Sequence, residues 1–273
     1  MDTLFSQFAQ SLNEHQGVWR SGVFVSALVV LATLESLRPR RPIAGRTRRW
    51  VNHLFLGTVN IVLLRLVLPG GLMALAVYGQ GGGVLGWLAL GPVASFVLAL
   101  ILLDLLIYTQ HVVLHKIPAL WILHAPHHGD RALDVSSGLR FHPAEALLSG
   151  GVKAIGVLAL GAPLAAVIAF EILLSAASLF THANWHLGRV DRWLRWVIVT
   201  PDMHRLHHSR LADETRHNFG FLISFWDRLF GTWQEQPQSG QTGMALGLEE
   251  MPEDGLRATL VYPLAHLPNQ RQD

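Results

Sequence analysis

Residues 92–110 read "PVASFVLALILLDLLIYTQ", with one charged side chain, Asp104, in the whole stretch. A helix needs about 20 apolar residues to cross the hydrocarbon core of a bilayer. A soluble surface helix of that length would show a polar face, and this run has none. Further apolar runs occur at about 18–37, 51–78 and 144–180, the last broken at Gly161-Ala162-Pro163. Only 15% of the residues are charged, against about 25% in a soluble domain, so the chain groups with integral membrane proteins. The stretch "GQGGGVLGWLALGP" reads as a turn or short re-entrant piece. The expected fold is an all-α integral membrane protein of about four to five transmembrane or re-entrant helices with a cytoplasmic histidine-rich helical cap.

Three segments follow from these changes in composition. Residues 1–91 hold N-terminal transmembrane helices and a basic loop, residues 92–233 a di-metal domain, and residues 234–273 a C-terminal tail. The N-terminus has no basic start and no small-residue cleavage site, so it reads as a mature end. The sequence "RPRRPIAGRTRRW" carries six arginines from Arg38 to Arg49. Short arginine-rich loops stay cytoplasmic, which sets this loop inside and the uncharged glycine-rich loop outside. The run at 92–115 then ends inside. If the 144–180 segment goes out and back, everything after it is inside too. The expected location is a bacterial inner membrane with the site on its cytoplasmic face. The basic balance suits a membrane surface, not a nucleic-acid face, which needs a basic stripe on a soluble module.

Histidines gather where the apolar runs end. Ten of the 15 fall into four groups. His111 and His115 are spaced i, i+4, as are His182 and His186. His124, His127 and His128 are spaced i, i+3, i+4, as are His204, His207 and His208. On a helix each group lies along one face. Ten imidazoles exceed what one tetrahedral ion takes and suit two metals with four or five nitrogen ligands each. Imidazole serves iron, zinc, copper and nickel, so the donor type does not choose among them. The chain has no cysteine, which excludes disulfides, thiolate sites and thiol nucleophiles.

The series "HVVLH", "HAPHH", "HANWH" and "HRLHH", with "LWILHAPHH", "RFHPAE", "TPDMHRLHHS" and "NFGFLISFWDRLFGTW" around it, resembles the fatty acid hydroxylase / sterol desaturase superfamily of membrane di-iron oxygenases. The likeness runs from about Asp104 to Trp233. It implies His111, His115, His124, His127, His128, His182, His204, His207 and His208 as metal ligands. His186 matches a ligand found in some lipid hydroxylases of the family. It also implies two iron ions, for which zinc can substitute in purified protein, with O2 as co-substrate. No stretch resembles a fused cytochrome b5 or reductase domain, so the electron donor is expected to be an external cytochrome b5-, ferredoxin- or reductase-like partner. The implied reaction hydroxylates or desaturates a C–H bond of a membrane lipid: a fatty acyl chain, sterol-like ring, ether lipid or carotenoid.

Other polar residues are candidates for support around the metals. Asp104 lies two turns before His111 on the same face, and Glu171 three turns before His182. A carboxylate inside the membrane is expensive and usually paired or functional, so both could anchor a ligating ring. The plain alternative is a polar contact between helices. Asn184 and Asn218 could reach a metal through water. His142 either starts a helix, with Pro143 in its first turn, or touches the site, and His217 is similar. His15, His53 and His266 fit no spacing and read as ordinary. Two other functions remain open. A metal transporter or store would set ligands across the bilayer midplane. A membrane zinc hydrolase would need a base such as the glutamate of H-E-x-x-H, and no such motif occurs.

Overall fold

A computed structural model describes residues 2–251 and 255–266, so parts of the expected tail, 252–254 and 267–273, lie outside the described residues. The described chain is helical with no strand, and only isolated bridges such as Ile198 with Ile223. In chain order the helices are α1 Asp2–Glu14, α2 Gln16–Leu37, α3 Arg46–Val67, α4 Gly71–Gly79, α5 Gly83–Leu88, α6 Pro92–Lys116, α7 Pro118–His128, α8 Pro143–Leu160, α9 Leu164–His182, α10 Arg189–Leu194 and α11 Pro201–His207. A 3₁₀ turn covers Val135–Leu139, short helical turns cover Ala212–Thr215, Phe225–Leu229 and Gly240–Gly243, and a last helix covers Leu256–Ala265.

Five units are long and apolar enough to cross a membrane: α2, the α3–α5 stretch Arg46–Leu88, α6, α8 and α9. The run expected at 51–78 does not stay one helix. It stops at Val67 and restarts at Gly71, with Gly70 and Gly71 at φ +78° and +63°. The 144–180 segment resolves into two helices of 18 and 19 residues. At 1.5 Å per residue each is ~27 Å long, about the thickness of the hydrocarbon core. Gly161 makes the turn between them at φ +63°, a left-handed backbone that glycine adopts without strain.

Helices α4, α5, α6, α8 and α9 share the main apolar core, with Ala99, Leu103, Ala166, Val167 and Phe170 fully or nearly buried. Many apolar side chains on α2, α3 and α4 remain exposed, among them Val25, Val29, Phe55, Ile61 and Val77. Such a surface suits a lipid environment. The glycine-rich loop lies against the α8–α9 turn, since a Cβ on Gly83 would stand 2.4 Å from the Gly161 nitrogen. The basic loop lies at the other end of the bundle. There Arg40 N–H donates to the Asn184 carbonyl (2.8 Å) and His186 N–H to the Arg38 carbonyl (3.0 Å). The α2, α6 and α9 C-termini and the α3 and α8 N-termini therefore meet at one end.

The described part of the expected tail is packed, not loose. Met244, Leu246, Met251 and Tyr262 are buried, and Met251 and Tyr262 cluster with Ala125 of α7.

Candidate metal centre

Helix α6 carries His111 and His115 at its last two turns, as the i, i+4 spacing requires. Pro118 then starts α7, because proline suits a first helical turn and Ile117 before it is extended. That break folds α7 back so that His124, His127 and His128 face the α6 pair. Helix α11 starts at Pro201, capped by the Thr200 hydroxyl, which accepts from Met203 N–H (3.4 Å). It presents His204, His207 and His208 from the opposite side.

Nine rings converge in two groups. His111, His115, His124, His128 and His207 form one, and His127, His182, His204 and His208 the other. Within each group the ligand nitrogens lie within 4.8 Å of one another. Each triple is split between the groups. On α7, His127 goes one way and His124 and His128 the other. On α11, His207 parts from His204 and His208.

The ring orientations are set from outside. His111 Nδ1 donates to the Phe219 carbonyl (2.8 Å), His127 Nδ1 to the Arg140 carbonyl (3.1 Å) and His182 Nδ1 to the Ser178 carbonyl (2.7 Å). His207 Nδ1 donates to the His217 carbonyl (2.9 Å), and His124 Nδ1 to Glu145 Oε1 (2.7 Å). An acceptor at Nδ1 fixes the proton there and leaves the Nε2 lone pair pointing inward. His127 and His182 thus bring two Nε2 atoms to 3.1 Å with no proton to share. The Nε2 atoms of His111, His115 and His207 are buried without a partner among the described residues. Lone pairs facing one another in a buried site repel unless a cation accepts them, so this donor set fits metal ions.

Burial keeps the rings neutral. It lowers His207 to about 3, and it lowers His127, His128, His204 and His208 well below the usual imidazole range. Neighbouring imidazoles add to that effect. Neutral imidazole is the ligating form.

A buried polar layer braces the loop after α7. Arg49 of α3 donates to Asp130 Oδ2 (2.7 Å) and Asp134 Oδ2 (2.8 Å), and its side chain is only 6% exposed. Burial pushes the Asp130 carboxyl up, but Arg49, His53 and Arg140 together hold it well below its ordinary value. Arg140 donates through Nε to the Pro126 carbonyl (3.0 Å), so it ties both sides of the His127 loop. Glu35 of α2 accepts from Val135 N–H and Asn184 N–H, both at 2.9 Å, and pairs with Arg46. Asp227, pushed up to about 6 by burial, accepts from Phe219 N–H (2.7 Å) and Gly220 N–H (2.8 Å) and so steadies the strap over His111.

A family model described as fatty acid hydroxylase matches residues 96–232. This chain belongs to the fatty acid hydroxylase family. The match coincides with the stretch that holds all nine converging histidines. The chain is 27% identical over 258 residues to the ornithine lipid hydroxylase OlsE of Rhizobium tropici, covering 91% of this chain and 76% of that protein. It is 26% identical over 227 residues to the very-long-chain aldehyde decarbonylase GL1-5 of Oryza sativa subsp. indica, covering 76% of this chain and 34% of that one. It is 25% identical over 137 residues to the alkylglycerol monooxygenase of Homo sapiens, covering 50% of this chain and 30% of that one. The chain thus spans about a third of the length of the latter two relatives. No solved structure matches it. Two of these relatives are named for oxygenation of lipids, the hydroxylase and the monooxygenase.

Several candidate positions lie away from the two histidine groups. His186 is outside both groups: α9 ends at His182, Ala183 is extended (ψ 136°), and the pair no longer shares a helical face. Asp104 does not touch His111. Its Oδ2 accepts from Trp226 Nε1 (2.8 Å) and Ile223 N–H (3.1 Å), because residues 219–226 pack over that face of α6. Glu171 pairs with Arg20 at 3.3 Å where α2 crosses α9, not with His182. Asn184 clamps the basic loop, accepting from Arg41 N–H (3.1 Å) and donating to the Arg41 carbonyl (2.7 Å). His142 is the N-cap of α8, its Nδ1 accepting from Ala144 N–H (3.1 Å). Asn218, at φ +57°, donates to the carbonyls of Met203 (3.3 Å) and Gln234 (2.9 Å) and so braces α11. His217 contributes its backbone carbonyl. The sequence reading missed Glu145, Glu35, Arg49, His53, Asp130 and Arg140. Only Glu145 had a local sign, two positions after Pro143 in "HPAE".

Proposed function

We propose that this family member is an O2-dependent di-iron hydroxylase of a membrane lipid, working on the cytoplasmic side of a bacterial inner membrane. The observation that carries the reading is the pair of histidine groups whose inward nitrogens are fixed by acceptors behind the rings. His111, His115, His124, His128 and His207 would hold one iron; His127, His182, His204 and His208 would hold the other. When bound, the irons supply activation of O2 for attack on an unactivated C–H bond. The residues around them position and shield. Phe141 stacks on His127 with ring centroids 4.3 Å apart, and Phe219 and Trp121 lie against His115 at 5.2 and 4.9 Å. These rings keep water from the metals.

The substrate's alkyl chain has an approach from the bilayer. An apolar groove of about 180 Å³ runs between α9 and the segments at 198–199 and 221–222, lined by Leu173, Ala177, Phe180, Val199, Phe221 and Leu222. Its walls adjoin Ser178 and Phe219, whose carbonyls orient His182 and His111. The relatives named as lipid hydroxylase and alkylglycerol monooxygenase favour insertion of oxygen over loss of hydrogen. Reducing equivalents come from an external cytochrome b5-, ferredoxin- or reductase-like donor.

The test has two parts. Lipids from cells with and without the gene are compared by mass spectrometry, and protein purified without added metal is analysed for its ions. A lipid gaining one oxygen atom, with two irons per chain, supports the reading. A lipid losing two hydrogens would make the enzyme a desaturase. One zinc per chain and an unchanged lipid profile would overturn the oxygenase.

A further inference from the structure

His186, which the metal groups leave out, faces a second site. It lines a polar cavity of about 400 Å³ together with Arg40, Arg189, Arg192, Arg195 and Asp202. Part of this lining is internally paired. Asp202 Oδ1 accepts from Arg40 Nε (3.1 Å) and Arg205 Nη1 (2.8 Å), and Arg195 pairs with Asp191. Arg189 and Arg192 differ. They sit three residues apart on α10, are exposed, and make no hydrogen bond or ion pair among the described residues. Glu235 is the unpaired acid on the same lining, and the lining together with Arg205 keeps a positive excess.

The apolar residues beside these arginines on α10 say where this cavity lies. Val190 and Trp193, then Trp196 and Val197 just after the helix, are 58–75% exposed. Phe225, Leu229 and Phe230 continue the apolar surface. Arg228 lies over the Trp196 and Trp233 rings, 4.4 and 3.9 Å from their centroids. Tryptophan, arginine and exposed aliphatic residues on one ridge fit the headgroup level of a bilayer. Ile198, next in the chain to Val197 of the ridge, lines the apolar groove with Leu173 and Phe221. Unpaired arginines beside such a ridge stand where lipid phosphates are.

The geometry points to a headgroup site: this cavity binds the phosphate of an anionic membrane phospholipid, with Arg189 and Arg192 as its contacts and His186 beside them. The site does not depend on the chemistry at the histidine groups, so it stands or falls separately from the oxygenase reading.

The full chain is purified in mild detergent, and bound phosphatidylglycerol and phosphatidylcholine are quantified by native mass spectrometry. Wild type should retain phosphatidylglycerol preferentially. The double variant Arg189→Gln/Arg192→Gln should lower that retention about tenfold, with metal content unchanged. Arg48→Gln, an exposed arginine on α3 away from the cavity, should lower it little. Equal retention in the double variant, or an equal loss in Arg48→Gln, would overturn the site. Displacement of the lipid by millimolar glycerol phosphate would show that a soluble phosphate suffices and would overturn the membrane lipid as its occupant.

Discussion

The two ends of the bundle are closed by different physics. At the histidine end, directional polar contacts cross between helices: Arg49 bridges Asp130 and Asp134, Glu35 takes two backbone amides, and Glu145 holds His124. At the other end the chain closes backbone on backbone. A Cβ on Gly161 would stand 1.9 Å from the Gly82 carbonyl oxygen, so only glycine lets the loop at 79–83 meet the α8–α9 turn. The histidine end must fix ring angles, and hydrogen bonds do that. The far end needs only close approach, which small residues supply.

The comparison breaks most decisively at a ligand. His127→Ala should cut activity more than about 100-fold and remove metal from the four-histidine group, since supporting residues alone cost 10–100-fold at metal sites. The readouts are turnover and ion content on the same sample. Full metal loading and full turnover in that variant would sink the ligand assignment. Next comes Arg49→Met. It leaves Asp130 and Asp134 buried without their cation, so stability should fall by about 3–5 kcal/mol. Thermal unfolding in detergent measures this, and an unchanged midpoint would show that the polar layer is not what holds this end.

Glu145→Gln tests the acceptors behind the rings. It keeps the shape and loses the charge facing His124 Nδ1, so metal affinity should drop about 10-fold. Chelator competition would show it, and an unchanged affinity would mean that Glu145 only caps space at the start of α8. At the far end, Gly161→Ala forces a shift of the Gly82 backbone and strains a left-handed turn. It should cost about 1–3 kcal/mol of stability with metal affinity untouched. Lost metal in Gly161→Ala would show that the two ends are coupled.

The sequence disclosed the converging histidines better than their supports, for a physical reason. Histidine spacing on α6, α7 and α11 is periodic, and periodicity survives in the sequence whatever the partners are. The acceptors at Phe219, Arg140, Ser178 and His217 are backbone carbonyls, which no side chain signals. Arg49 was legible only as one basic residue in an arginine-rich loop, a sign of topology. Its acid partners lie 81 and 85 residues away, and nothing local distinguishes it from the exposed Arg48. The apolar runs were legible because length and hydropathy alone define them. The break at Val67 was not, because the apolar run continues past it.

His186 sharpens the comparison by what it does not do. Its spacing from His182 imitates His111–His115, yet the helix that would align the two rings ends at His182 itself, four residues too soon. A ring beyond that end points elsewhere, into the polar cavity with Arg40 and Asp202. His186→Ala should therefore leave the ion content of the purified chain at the wild-type value, while His182→Ala lowers it. Ion analysis of the two variants side by side decides the point. If both lose metal equally, the segment after α9 must refold on metal binding, and the histidine end is less rigid than its hydrogen bonds suggest.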